Sequence, residues 1–212
     1  KGAKGKPEAG DFDWFGAKDA AQMNEYLKWA QGYEFDLIKG VATNQPRWAL
    51  GDILHSAPLV INYGNNEVKV LVGTNDGFMH LFDGKTGNES WAFYPKELGK
   101  NFQWLIDPAN PHRYGVDGSA VAYINDFDGN QQLTDKDDEV WTFFGLGRGG
   151  RSYYALDIQN PDQPQYQWTI NETIPGFLEL GQTWSTPAIG WVPTEKGKQL
   201  ALIVAGGYDP NK

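Results

Sequence analysis

Residues 70–93, VLVGTNDGFMHLFDGKTGNESWAF, constrain the fold more than any other part of the chain. Val70-Leu71-Val72 is a short apolar run that can be buried on both faces. Thr74-Asn75-Asp76-Gly77 supplies the positive-φ positions of a tight turn, and Phe78 to Phe82 is the next strand. Asp83-Gly84-Lys85-Thr86-Gly87 turns the chain again into Ser90-Trp91-Ala92-Phe93. Three antiparallel strands with tight exits make a β-meander, the unit of a propeller blade. An Asp and a Thr that bracket a Gly turn can close it with side-chain hydrogen bonds. Trp91 is then expected to fold back, largely buried, against a neighbouring blade. The spacing Asp83-x-x-Thr86-Gly87-x-x-x-Trp91 resembles the tryptophan-docking motif of quinoprotein-type propellers, which include enzymes and non-enzymes.

The pattern repeats. Ser56-Ala57-Pro58-Leu59-Val60, Ser119-Ala120-Val121-Ala122 and Ser185-Thr186-Pro187-Ala188-Ile189 look like one strand start in three copies, 63 and 66 residues apart. Each leads to an apolar strand ending in Gly: Val70 to Gly73, Trp141 to Gly145 and Leu202 to Gly206. The first two copies continue with an aromatic strand ending in Asp, Phe78 to Asp83 and Tyr153 to Asp157, and close on Trp91 and Trp168. The expected fold is therefore all-β: a partial, modified β-propeller of four-stranded antiparallel blades with a short N-terminal helix. Its divisions are a mobile start and helical lead-in over 1–48, blades at about 50–117 and 118–184, and a truncated blade at 185–212. Closed propellers use at least about four blades, so the chain reads as a fragment of one or as a partner of other chains.

Ahead of the repeats, residues 1–10 are rich in Lys and Gly and read as mobile. Asp19 is a candidate N-cap for a helix to about Gln31, with Gln22 at the capping-box position and Gly32 as the stop. Met23, Tyr26, Leu27 and Ala30 share one of its faces.

Composition narrows the function. The formal charge of −9 argues against nucleic-acid and anionic-membrane partners. The absence of cysteine excludes disulfides and thiolate chemistry, and no run is long and apolar enough for a membrane span. No signal peptide is present, and a start at Lys1 without Met reads as a piece of something longer.

Four constellations could carry chemistry. Gly145-x-Gly147-x-x-Gly150 has the letters of a dinucleotide fingerprint, but that motif works only where a strand turns into a helix. Here the strand-like Arg151 to Asp157 follows, so it reads as a glycine turn with Arg148 and Arg151 exposed or paired to acids. His55, His80 and His112 lie far apart without ligand spacing, and His80 reads as a hydrogen-bonded structural residue. Asp11 and Asp13 read as exposed acids, not as a catalytic pair. No Gly-x-Ser-x-Gly elbow is present. The acidic run from Asn125 to Glu139 invites a Ca²⁺ reading, because alternating Asp and Asn in a tight loop converge oxygens on one point. Counted from Asp126, the ligands expected are Asp126, Asp128, Asn130 and Asp137, with Gln132 and Thr134 between them. Gly129 is not at the sixth position and the last ligand is Asp instead of Glu, and the alternative is a solvated acidic hairpin.

Taken together, GDILHSAPLV (51–60), the run 70–95, HRYGVDGSAV (112–121), GLGRGGRSYYALDI (145–158), LGQTWSTPAI (180–189) and IVAGGY (203–208) resemble the C-terminal propeller domain of the PilY/PilC-type tip-associated proteins of type IV pili. The resemblance runs from about residue 20 to the end, and 145–157 is its most specific part. It implies a non-enzymatic module that supports pilus assembly, counters retraction, and takes part in adhesion and twitching motility. The implied partners are pilus subunits or minor pilins and a host or abiotic surface. The implied location is the cell surface, outer membrane or pilus tip of a Gram-negative bacterium, reached through the periplasm. The resemblance also implies a calcium loop in a later blade, beyond Lys212, so the acidic loop here would be a separate site. The alternatives are a fragment of a pyrroloquinoline quinone dehydrogenase, which shares the docking motif, and a lectin-like module lined by Trp and Tyr.

Overall fold

The computed structural model describes residues 11–209; the Lys/Gly-rich start lies outside them. After a short 3₁₀ turn, α1 spans Ala20–Ala30. Asp19 caps it by accepting from the Gln22 amide at 2.8 Å. The Gln22 side chain reaches one residue further back than a capping box requires and accepts from the Lys18 amide. The buried face of α1 is Met23, Tyr26 and Trp29, with Leu27 and Ala30 partly covered.

Residues read as helical lead-in then form a hairpin, β1 (Tyr33–Asp36) and β2 (Val41–Pro46). It turns at Asp36, whose carboxylate accepts the Ile38 and Lys39 amides, and at Gly40, which has φ +70°. The side chains of this hairpin do not alternate cleanly, which hides it from a reading based on period two.

The first blade is β3 (Leu59–Gly64), β4 (Glu67–Gly73), β5 (Met79–Asp83) and β6 (Glu89–Phe93), paired antiparallel in chain order. A connection that the strand pattern does not reveal follows: a 3₁₀ turn at Lys96–Asn101 and a single helical turn, α2 (Phe102–Leu105). The second blade repeats the first with β7 (Ala120–Asn125), β8 (Glu139–Gly145), β9 (Tyr153–Asp157) and β10 (Gln165–Ile170). The third copy contributes β11 (Ala188–Thr194) and β12 (Gly197–Ile203), a two-stranded antiparallel hairpin. No described helix is long and apolar enough to cross a membrane.

One core lies between the two blades. Ile61, Tyr63, Leu71, Met79 and Leu81 meet Val140, Phe144, Leu146, Tyr154, Leu156 and Ile158. Phe93 inserts its edge toward Phe144 and Tyr154, with centroids 6.2 and 5.7 Å away. A second cluster joins α1 to the first blade: Met23, Tyr26 and Trp29 pack on Phe102, with Phe78 and Tyr94 beside it.

The docking turn forms as its spacing suggests. Asp83 Oδ1 accepts from the Thr86 amide at 2.8 Å and from its hydroxyl at 2.9 Å. Those bonds, the backbone one first, hold the Asp83 carboxyl below the usual carboxylate range. Trp91 crosses to the second blade, where its Nε1 donates to the Pro161 carbonyl at 2.9 Å. The ring is half-buried and not largely buried, because its polar edge has to reach a loop carbonyl at the rim of the core.

The meanders place their connections on two opposite ends. The 74–78, 94–119 and 146–152 segments lie at one end, called the glycine end, and the 65–66, 84–88, 126–138 and 158–164 segments at the other. At the glycine end the main chain of each blade bonds directly to the connection that leaves it: Val116 N–H to Thr74 O at 2.9 Å and Gly147 N–H to Thr183 O at 3.2 Å.

Candidate functional site

The acidic loop, 126–138, joins the two inner strands of the second blade at the end away from the glycine turns. Its ordering starts from Leu133, which is buried in the inter-blade core. The Leu133 amide donates to the Tyr63 carbonyl at 3.0 Å, and Asn65 Nδ2 donates to Gln132 Oε1 at 2.7 Å. The loop is therefore pinned to the first blade at its middle.

Around that pin the carboxylates turn inward. Asp126 accepts from the Gly129, Asn130 and Gln131 amides at 2.8, 3.2 and 2.8 Å. Gly129 and Gln131 take φ of +72° and +65°, which lets the chain wind round this carboxylate. Asp128 accepts from the Asn130 amide and side chain. Asp138 is buried and accepts from the Phe127 amide at 2.9 Å and the Asp135 amide at 3.2 Å. Oxygens of Asp126, Asp128 and Asp138 lie within 4.8 Å of one another.

Of the expected ligands, Asp126 and Asp128 belong to this group. Asp137 is exposed and stands outside it, and its neighbour Asp138 takes the place. The reason is the turn Asp135–Asp138, closed by the Asp138 amide on the Asp135 carbonyl, which tucks residue 138 beneath the loop just before β8 begins. Counting positions from Asp126 misses this, because the loop does not keep a twelve-residue helical frame. Asn130 sits beside the group, with Nδ2 on Asp128 and Asp135 and Oδ1 accepting from the Gln132 amide at 2.7 Å. Three converging carboxylates offer the oxygen ligands that a hard cation such as Ca²⁺ takes.

At the glycine end, residues 145–152 form a short 3₁₀ turn between strands, with no helix for a dinucleotide phosphate to meet. Arg151 pairs with Asp209 at 2.9 Å. Arg148 lies near the rings of Tyr114 and Trp184, 5.1 Å from each centroid, and donates to the Tyr114 hydroxyl. The three histidines are held apart, each on its own carboxylate. His55 meets the buried Asp117 at 2.9 Å, His80 meets Glu89 at 2.8 Å, and His112 meets Asp52 at 2.5 Å. His80 also meets the Thr74 hydroxyl at 3.2 Å, as befits a structural histidine within a strand.

Fold and repeats thus define a class: part of a β-propeller built from four-stranded antiparallel blades. Residues 60–212 match the PilY1 beta-propeller domain, and the chain belongs to that family. It is 29% identical over 207 residues to the type IV pilus biogenesis factor PilY1 of Pseudomonas aeruginosa (strain UCBPP-PA14), covering 82% of this chain and 17% of that protein. It is 32% identical over 186 residues to a type IV pilus biogenesis factor PilY1 homolog of Xylella fastidiosa (strain Temecula1), covering 76% of this chain and 14% of that one. The chain spans about a sixth of the length of these relatives. Among solved structures, the Pseudomonas aeruginosa PilY1 C-terminal domain aligns with 68% of this chain and 25% of its own, at 26% identity and a TM-score of 0.48.

Proposed function

We propose that this chain is a non-enzymatic propeller module of a type IV pilus biogenesis factor. In this reading it acts at the cell surface or pilus tip of a Gram-negative bacterium, meets pilus subunits, and supports assembly, twitching motility and surface attachment. The observation that carries the reading is the family match over 60–212, on a chain whose two blades follow the repeat. The tryptophan contact between blades serves packing, as an assembly module needs, and leaves the quinoprotein reading without a feature of its own. The test is an in-frame deletion of the segment in the source bacterium, with immunodetection of the shortened protein at the surface. Loss of sheared surface pili and of twitching zones is expected. Normal piliation with the shortened protein present overturns the proposal.

The acidic loop adds a second element. We propose that Asp126, Asp128 and Asp138 hold Ca²⁺, supported by their convergence within 4.8 Å. Like charges so close raise each other's energy, and a cation bound only by the folded state offsets this and stabilises by mass action. Titration calorimetry on chelator-treated protein should show saturable calcium heat that Asp128→Ala removes, with Mg²⁺ a poor substitute. No saturable heat at millimolar calcium ends this part of the proposal.

A further inference from the structure

Two Asn-x-Ser/Thr triplets occur in the chain, Asn88-Glu89-Ser90 and Asn171-Glu172-Thr173. Such a triplet is the acceptor pattern for an N-linked sugar when its middle residue is not Pro. The fold treats the two in opposite ways. Asn88 leads straight into β6, and its carbonyl accepts from the Asp83 amide of the docking turn at 2.8 Å. The Ser90 hydroxyl lies within the strand and accepts from the buried Lys69 ammonium at 3.4 Å. Among the described residues no hydrogen bond joins Asn88 to Ser90. Extended backbone sets residues two apart roughly 6.6 Å from each other, so the amide and the hydroxyl of this triplet stay separate.

Asn171 follows β10 and opens a turn, closed by the Ile174 amide on the Asn171 carbonyl at 3.1 Å. Its side-chain Oδ1 accepts from the Thr173 amide at 3.0 Å and from the Thr173 hydroxyl at 2.6 Å, an Asx turn. The hydroxyl of the triplet is thus already seated on the amide it accompanies. Both lone pairs of Oδ1 are committed, and the two hydrogens on Nδ2 have no partner among the described residues. Thr173 is exposed and Asn171 half-buried, so the turn can be reached from outside.

The same asparagine stands on the wall of a cleft of about 770 Å³, between the 96–101 turn, the N-terminal 3₁₀ turn and β10. That volume lies within the roughly 300–1,000 Å³ typical of small-ligand sites. Tyr166, whose side is 43% exposed, lines it with Phe93 and the buried Tyr154. A ring of this kind offers an apolar face to the C–H side of a pyranose. A neutral sugar needs none of the charged groups of the cleft, Lys96, Lys100 and Glu97, to be free.

We propose that Asn171 is an N-glycosylation site, and that the first sugar, a hexose or N-acetylhexosamine, lies along the cleft with its C–H face on Tyr166. In the transfer a bond forms between Asn171 Nδ2 and the anomeric carbon of a sugar diphosphate ester, nucleotide-linked or lipid-linked. The bond from that carbon to the diphosphate oxygen breaks, the diphosphate leaves with the electron pair, and a base of the transferase takes one Nδ2 proton. Asn88 stays bare. The assignment stands on the triplet, the turn and the cleft, so it and the pilus reading fail separately.

The test is peptide mapping by mass spectrometry, with electron-transfer fragmentation, on the protein isolated from the source bacterium. The peptide that holds Asn171 is expected to carry the sugar on that residue, and the peptide that holds Asn88 to carry none. Thr173→Ala should remove the sugar and Thr173→Ser should keep it. Modification already present in the cytoplasmic pool identifies a nucleotide-linked donor, and modification confined to the surface pool a lipid-linked one. The same chain made in a host without such a transferase is the bare reference. The modified protein should melt above it, and Tyr166→Ala should remove most of that rise with occupancy of Asn171 unchanged. An Asn171 peptide recovered only in its bare form overturns the site. Equal occupancy of Asn88 overturns the selection by the turn. Absence of the rise, or a rise that Tyr166→Ala leaves intact, overturns the seat in the cleft.

Discussion

The two complete blades place very different connections at the same point. Between β3 and β4 the chain turns on Asn65 and Asn66, with φ of 48° and 63°, the backbone of a two-residue hairpin turn. Between β7 and β8 the equivalent turn is the whole acidic loop, 126–138. The strands on either side pair in the same way, β3 with β4 and β7 with β8. The scaffold therefore does not need this connection to be long. The long one stays ordered because it returns one side chain, Leu133, to the shared core and one amide, that of Leu133, to the short hairpin beside it. The short turn is also the dock of the long one: a Cβ at Gly64 would come within 2.3 Å of the Gln131 carbonyl.

Leu133→Ala is expected to have the largest effect, a loss of about 3 kcal/mol in chemical unfolding, within the range for emptying a buried leucine site. A loss under 1 kcal/mol would mean that the loop merely rests on the first blade. Trp91→Ala should cost about 2 kcal/mol, less than for a fully buried tryptophan, since the ring is half-buried and gives up one hydrogen bond. Trp168→Ala tests whether the blades dock alike. Its ring lies 5.7 Å from Phe143 on its own blade and lines a groove against β12, so about 1 kcal/mol is expected. Equal losses at both tryptophans would erase that difference between the blades. Asn66→Ala should cost about 1 kcal/mol through left-handed strain, while Asn66→Gly should be close to neutral.

The smallest effect depends on pH. Burial first, and then the nearby Glu172 charge, raise Glu97 above the ordinary carboxylate range, against the opposing Ser152 hydrogen bond. The folded state then keeps the proton over a window in which the unfolded chain has lost it. Stability falls as pH rises from the unfolded carboxylate range through the folded value. Glu97→Gln should flatten that fall, with a melting temperature above the parent at pH 8 and no gain at pH 4. A parallel shift at both pH values would show that the change acts through packing alone.

The blades were legible in the sequence because period-two strands, glycine turns and the Asp-Thr-Trp spacing all act locally. Hydrogen bonds from Thr86 to Asp83 and the helix cap at Asp19 are contacts between residues three apart, which spacing reveals directly. The hairpin at 33–46 and the helical turns at 96–105 were not legible, because each is stabilised by a partner distant in sequence. Phe102, for instance, is held by the rings of Phe15 and Trp29. The acidic loop was legible in composition and only partly in geometry. Asp126 and Asp128 stand in the cluster, whereas the choice of Asp138 over Asp137 depends on a turn that is set where β8 begins. Leu133 carried a signal that was available: it is the one large apolar residue between Asp128 and Glu139.

The seam at the glycine end has its own consequence for how such a chain can diverge. A Cβ at Gly149 would lie 1.8 Å from the Gly115 carbonyl, one at Gly118 2.4 Å from the Gly145 carbonyl, and one at Gly73 2.4 Å from the Val116 carbonyl. Each of these carbonyls belongs to the main chain, which cannot rotate aside as a long side chain can. The fit of the connections against the blades at this end is thus set by amides and carbonyls that every sequence carries. Side chains around the seam are free to drift, while a single added methyl at one of these three positions would collide with main chain that has to move to admit it.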